Sequence, residues 1–127
     1  MAYEQVVYGE FDTLPVPETT MLPEDLDLYD PGAVLPPPNR PWSFRQYLVH
    51  LTVTPRGEVT FPRVYFGYSG YRRNSRAVEA AIREIRYTPA TRNGEPVSCN
   101  ITQIFTLPES YEFLAYPADR RRADIQP

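Results

Sequence analysis

Between Gln46 and Thr54 the chain reads QYLVHLTVT, with Tyr47, Val49, Leu51 and Val53 apolar on the odd positions and mostly polar residues between them. Successive side chains of a strand point to opposite faces, so this period of two predicts a half-buried β-strand. Thr54-Pro55-Arg56-Gly57 follows. Proline pre-sets φ at the second turn position and glycine accepts the left-handed conformation that closes a bulged hairpin, so the chain is expected to reverse here. Glu58 to Phe66 (EVTFPRVYF) reads as the partner strand, but its apolar parity shifts from Val59 and Phe61 to Val64 and Phe66 across Pro62. A bulge or an edge position at Pro62 accounts both for the shift and for a residue with no N–H to donate.

Gly67-Tyr-Ser-Gly70 interrupts regular structure, and Asn74 or Ser75 offers a helix cap. Beyond it Val78, Ala81, Ile82 and Ile85 fall at i, i+3, i+4 and i+7, one apolar stripe of an amphipathic helix. Glu79 and Arg83 are spaced for an i,i+4 ion pair on the wet side, and Pro89 is expected to stop the helix by holding Thr88 extended. Asn93-Gly94 is a tight-turn signal. From there Val97, Cys99, Ile101, Phe105 and Leu107 share one face of a third strand, with Gln103 the exception. A helix with one apolar stripe must pack on one face of a sheet. The pattern therefore predicts a small α+β unit of order ββαβ, a three-stranded antiparallel sheet carrying a single helix.

Composition divides the chain into three stretches: an acidic, proline-rich extended arm (1–42), the α+β body (43–107) and an irregular arginine-containing tail (108–127). Eight of the 15 prolines lie between Pro15 and Pro41, including Pro36-Pro37-Pro38, which favours extended or polyproline-like backbone. Residues 1–40 carry eight acids against Arg40 alone, whereas 41–127 carry twelve arginines against eight acids, so the net charge of -3 hides a segregated molecule. The arm is still punctuated by Val6, Val7, Tyr8, Phe11, Leu14, Met21, Leu22, Leu26, Leu28 and Tyr29, which predicts docking on the body or on a partner. A body of about 65 residues buries only ~60% of its unfolded surface and needs such help. All 13 basic residues are arginine, which removes Schiff-base and P-loop lysine chemistry. The acidic balance argues against nucleic-acid binding through the overall field. No segment approaches the ~18 apolar residues of a spanning helix, and the N-terminus shows no signal-peptide pattern.

The stretch from Glu79 to Val97 (EAAIREIRYTPATRNGEPV) resembles the C-terminal domain of TonB-type energy transducers. The shared pattern is a helix running into an aromatic-x-Pro step, then Asn-Gly-x-Pro-Val and an alternating strand, carried by Ile85, Arg86, Tyr87, Pro89, Asn93, Gly94, Pro96 and Val97. Val53 to Val59 is similar to the family's hairpin, and the likeness covers residues 46–107, about half the chain. The resemblance implies a non-enzymatic, cofactor-free interaction module of the periplasm or cell envelope. It would capture an extended segment of an outer-membrane receptor by adding it beside the last strand, Val97 to Leu107. Two departures bear on force transmission. Arg40-Pro-Trp-Ser-Phe stands where the family has a Tyr-Pro-containing segment, and no anchoring helix is visible. The alternative is an accessory subunit of a larger envelope or membrane complex, held by its arm.

Partner contact is expected at Val97, Ser98, Asn100, Thr102 and Gln103 of the last strand, and at Tyr68, Tyr71 and Arg72 in the aromatic and arginine-rich loop before the helix. The edge of the last strand is either open to a partner or covered by the chain's own arm or a second copy, as in a homodimer. His50, the single histidine, reads as a packed or solvated side chain, and Cys99 as an inert buried thiol. Asp25-Leu-Asp27 lacks the glycine and terminal glutamate of a calcium loop, and no metal is expected. Arg120-Arg-Arg122 is read as a frayed tail or a contact for acidic groups. No set of nucleophile, base and orienting group is visible.

Overall fold

The computed structural model describes residues 5–28, 45–66, 72–112 and 114. It is a small α+β fold: β1 (Gln5–Tyr8), β2 (Val16–Pro17), β3 (Gln46–Val53), β4 (Val59–Phe66), α1 (Arg72–Ile82), β5 (Tyr87–Thr88), β6 (Ala90–Arg92), β7 (Glu95–Val97) and β8 (Cys99–Thr106). The main sheet has four strands in the order β1-β8-β3-β4, all antiparallel, and β2–β5 and β6–β7 form two small pairs. The expected three-stranded sheet is thus present as β8-β3-β4, extended by a strand from the arm. Among the described residues no helix is long and apolar enough to cross a membrane.

β3 alternates as its sequence requires, with Tyr47, Val49, Leu51 and Val53 buried and the residues between them half-buried. It pairs with β8 without a register break, from Gln46 opposite Thr106 to Val53 opposite Cys99. The turn to β4 closes with Gly57 at φ 82, its N–H donating to Thr54 O at 2.9 Å, while Thr54 Oγ1 accepts from Glu58 N at 3.1 Å. β4 is an edge strand broken by two register shifts against β3. Phe61 takes φ 53 beside a buried Pro62, so the parity shift has both of its expected causes.

The helix differs from expectation at both ends. It begins at Arg72, which places Asn74 inside it, almost wholly buried, instead of at a cap. It ends at Ile82, where the N–H groups of Glu84 and Ile85 bond Ala81 and Ile82 in the tighter i+3 pattern. Ile85 is buried beyond the helix, while Val78 and Ile82 hold the stripe and Ala81 is half-buried. Pro89 lies too far downstream to be the stop; Thr88 is extended because it is part of β5. Glu79 does not serve an ion pair with Arg83: its Oε2 accepts the Val64 N–H at 2.8 Å, satisfying a donor at the irregular edge of β4.

Asn93 and Gly94, at φ 54 and 78, form the two-residue turn of the β6–β7 hairpin. The third strand foreseen from Val97 is split at Ser98, leaving Val97 in β7 and β8 starting at Cys99.

The arm is not a separate extended stretch. Its described part crosses the body, with Asp12 N–H donating to Thr91 O at 2.8 Å, Glu18 N–H to Arg86 O at 2.9 Å and Leu22 N–H to Thr106 O at 2.8 Å. Leu22 and Leu28 enter the core with the Tyr111 side chain, whose hydroxyl accepts from Leu28 N and donates to Leu26 O. Burying two leucines stabilises by roughly 3–6 kcal/mol before ordering entropy is subtracted. Residues on both sides of the expected boundaries at 42 and 107 therefore share one core. Pro36 to Pro38 and Arg120 to Arg122 lie outside the described residues.

Candidate interaction site

β8 is the strand on which partner capture was expected, and both of its edges are occupied. β3 covers one side. On the other, β1 pairs antiparallel from Gln5 opposite Gln103 to Tyr8 opposite Asn100, and Met21 bridges Thr106 in parallel fashion. An open edge for a receptor segment is contradicted: the chain has placed its own N-terminal segment where the resemblance put a partner. The physical reason is the liability of unpaired N–H and C=O groups along a flat strand, removed here by four residues of the arm.

Side chains lock this added strand to β8. Gln5 Nε2 donates to Gln103 Oε1 at 2.8 Å and to Pro15 O at 3.1 Å. The Tyr87 hydroxyl donates to the same Gln103 oxygen at 3.1 Å. That explains the polar residue on the apolar face of the strand: Gln103 is buried and shared between β1, β5 and β8. On the opposite face the Tyr8 hydroxyl lies 2.9 Å from Thr102 Oγ1, which lies 2.7 Å from His50 Nδ1. The His50 ring stands 6.0 Å from the Tyr8 ring and 5.1 Å, edge-on, from the Tyr65 ring.

The expected contact residues separate accordingly. Thr102 and Gln103 are buried, 5% and 2% exposed, and cannot meet a partner while β1 is in place. Asn100 is exposed and accepts from Thr52 Oγ1 at 2.6 Å; Ser98 is exposed, and Val97 is half-buried against the core. Tyr68 and Tyr71 lie outside the described residues, and of Arg72 only its place at the start of α1 is described. Of the five expected on the last strand, Thr102 and Gln103 are thus withdrawn from the surface, and only Ser98 and Asn100 are fully exposed. Exposed apolar side chains lie elsewhere: Phe61 at 79%, Tyr65 at 68%, Tyr8 and Val6 on the outer sheet face, and Leu14, Val16 and Met21 along the arm. Phe61 carried a signal, standing at the break in parity before Pro62; the exposure of Tyr8 depends on an arm strand that alternation within the body does not reveal.

The arm meets the arginines of the body through backbone groups; the Arg86 guanidinium itself pairs with Glu58 at 3.5 Å. Arg92 Nη2 donates to Glu10 O at 2.9 Å and its guanidinium lies 4.8 Å over the Phe11 ring, while Glu18 Oε2 accepts from Arg86 N at 3.2 Å. The arm thus lies along the β5–β6 region, held there by hydrogen bonds that use backbone groups. Among the described residues the shifted titrating groups are all buried ones. Burial pushes Tyr47 up to about 12, with the nearby Tyr111 adding to it, and raises Tyr87 further. Burial also raises Tyr111 and the Cys99 thiol, the latter partly offset by Arg92. Each is held in its neutral form at neutral pH, and a buried protonated thiol is a poor nucleophile. Among the described residues no group of three or more His, Cys, Asp or Glu side chains is disposed to hold a metal.

Compared with protein-family models, with curated proteins and with solved structures, the chain matches none.

Proposed function

We propose that this protein is a non-enzymatic interaction module of the cell envelope in which the strand-accepting slot beside β8 is filled in cis by β1, and that a partner's extended segment enters by exchanging with it. The carrying observation is the placement of β1. It is a four-residue strand, half-exposed along its length, contributed by a segment remote in sequence, and it sits antiparallel on the outer edge of β8. The likeness of residues 46–107 to TonB-type C-terminal domains supports strand addition at this edge, the envelope setting and a receptor segment as partner.

Exchange predicts that a chain lacking residues 1–9 binds a synthetic peptide of residues 1–14 in trans, with amide shifts confined to β8 and its neighbours. Binding of that peptide to the truncated chain and not to the full chain supports exchange. Failure of the truncated, folded chain to bind it removes the reading.

A second reading, an accessory subunit of a larger envelope or membrane complex, draws on Leu14, Val16 and Met21, each about half exposed along the docked arm. Replacing all three with serine would then abolish association while leaving the fold intact.

A further inference from the structure

On the outer face of the main sheet, β4 bulges at Phe61 and turns its ring 79% into solvent, at a φ of 53 that bulky residues rarely adopt. Strain combined with exposure is costly twice over, and such outliers collect at functional positions. Beside this ring lies a hollow of about 400 Å³ lined by Tyr8, His50, Leu51, Thr52, Phe61, Asn100 and Ile101. Tyr8 on β1 and Phe61 on β4 bound it from strands three steps apart, roughly 14 Å between backbones. The floor is polar and fixed. Thr52 Oγ1 donates to Asn100 Oδ1, which leaves the Asn100 Nδ2 donors without a partner among the described residues. The Thr102 hydroxyl holds His50 through Nδ1, leaving Nε2 toward solvent-accessible space. No lining residue is an acid or an arginine.

We propose that this hollow binds a neutral glycan, with the flat C–H face of a pyranose ring on the Phe61 or Tyr8 ring and its hydroxyls on Asn100, Thr52 and His50 Nε2. Aromatic walls supply apolar contact on a ring face, and a fixed amide supplies orientation; a few placed polar groups in a mainly apolar cleft are the usual form of a small-molecule site. The lining holds no acid or arginine, although Arg63 stands exposed opposite His50 on β4, so the neutral sugar is set against a sulfated one in the test. An all-equatorial β-1,4-linked pyranose presents the flattest faces, so this is the class assigned. Since Tyr8 belongs to β1, a bound glycan favours the closed sheet and opposes exchange of that strand.

The test uses the full chain, isotope-labelled, titrated with chitotetraose and in parallel with a sulfated heparin tetrasaccharide. Saturable shifts at Thr52, Asn100 and the His50 ring, with a Kd of about 1 mM or tighter for chitotetraose alone, are expected. Phe61→Gly removes the ring while accepting the positive φ without strain, so it should keep or raise thermal stability and weaken binding at least about tenfold. No saturable shift in the wild type, equal binding by the folded Phe61→Gly chain, or equal binding of the sulfated sugar overturns the assignment. So does sedimentation showing a second copy covering Phe61. Because β1 stays paired throughout, failure here leaves strand exchange untouched.

Discussion

Gly57 is the position where a single added methyl should do most damage. Its φ of 82 is left-handed, and a Cβ there would lie 2.0 Å from the carbonyl oxygen of Tyr87. That oxygen is backbone and cannot rotate away. Relief requires the β3–β4 turn and β5 to part by about 1 Å or more, given that carbon and oxygen do not pack much closer than ~3 Å. Parting breaks the Tyr87 N–H bond to Gly57 O, now 2.9 Å, and disturbs the buried Tyr87 ring with its hydroxyl on Gln103.

The contributions can be sized. Left-handed backbone costs an alanine about 1–2 kcal/mol. The lost backbone bond costs about 1 kcal/mol and the displaced, partly unsatisfied Tyr87–Gln103 contact about 1–2 more. Gly57→Ala should therefore destabilise by roughly 3–5 kcal/mol, which for a chain of this size lowers Tm by roughly 10–18 °C. Gly94 supplies the control, since its φ is 78 but an added Cβ meets nothing within 4 Å. Gly94→Ala should carry only the backbone cost, about 1–2 kcal/mol. Thermal melts and urea titrations of both variants decide the matter. Equal losses, or a Gly57→Ala loss under about 2 kcal/mol, would refute the claim that the hairpin turn is clamped onto β5.

Three further outcomes follow from buried polar groups. The Tyr47 hydroxyl is buried with no hydrogen-bond partner among the described residues, so Tyr47→Phe should be neutral or stabilise by up to about 1–2 kcal/mol, whereas Tyr111→Phe, which strands Leu28 N and Leu26 O, should cost about 1–3 kcal/mol in urea unfolding. Burial raises Tyr47, Tyr87 and Tyr111 above their ordinary value of 10.0, so the fold prefers their protonated forms. That preference is complete below pH 10 and is lost as pH rises toward about 12, each tyrosine removing up to about 1.4 kcal/mol per pH unit. Tyrosinate absorbance for these three should appear together with loss of near-UV circular dichroism; titration near pH 10 with tertiary structure intact would contradict it. The Cys99 thiol, 2% exposed and raised by burial, should react with a disulfide reagent only as fast as the protein opens, so rates matching those of a free thiol would show the site to be accessible.

The body was legible wherever one residue pattern had one physical solution. Alternation over Gln46–Val53, the Thr54–Gly57 turn and Asn93-Gly94 each fix local backbone, and each is found. The helix stripe located the buried side chains but not the helix end, because Ile85 stays buried after the chain has tightened past Ile82. Periodicity reports burial, and here burial continues beyond the α-helical hydrogen bonds. Gln103 and Thr102 were misplaced for another reason. Their surroundings come from Gln5 and Tyr8, nearly a hundred residues away, and no pattern inside β8 announces a strand that will be laid beside it. The arm's proline content suppressed the expectation of strand; Gln5–Tyr8 precedes the first proline, but Gln-Val-Val-Tyr does not alternate, and only its burial in the fold does.

On the strand-exchange reading, β1 also sets what a partner must be. A tethered strand competes at an effective concentration on the order of millimolar, so an incoming segment that only reproduces the four pairs of β1 would displace it only near that concentration. A tighter partner needs contacts β1 does not make. β8 runs on through Ile104, Phe105 and Thr106, where the described part of the arm contributes the Met21 bridge, with Thr106 N–H donating to Thr20 O and Leu22 N–H to Thr106 O. A segment that continues past Gln103 gains backbone pairs there but must also lift Thr20 to Leu22, and Leu22 is buried. Removing that leucine from the core costs about 1.5–3 kcal/mol, a tenfold or larger loss of affinity unless the partner supplies an apolar residue at the same place. Strand exchange therefore selects for a segment with an apolar residue in the place of Val7, opposite Ile101, and with a distal end that refills the Leu22 site. Peptides extended past Gln103 with leucine at that point should outcompete those with serine; equal competition by both would mean that exchange stops at β1.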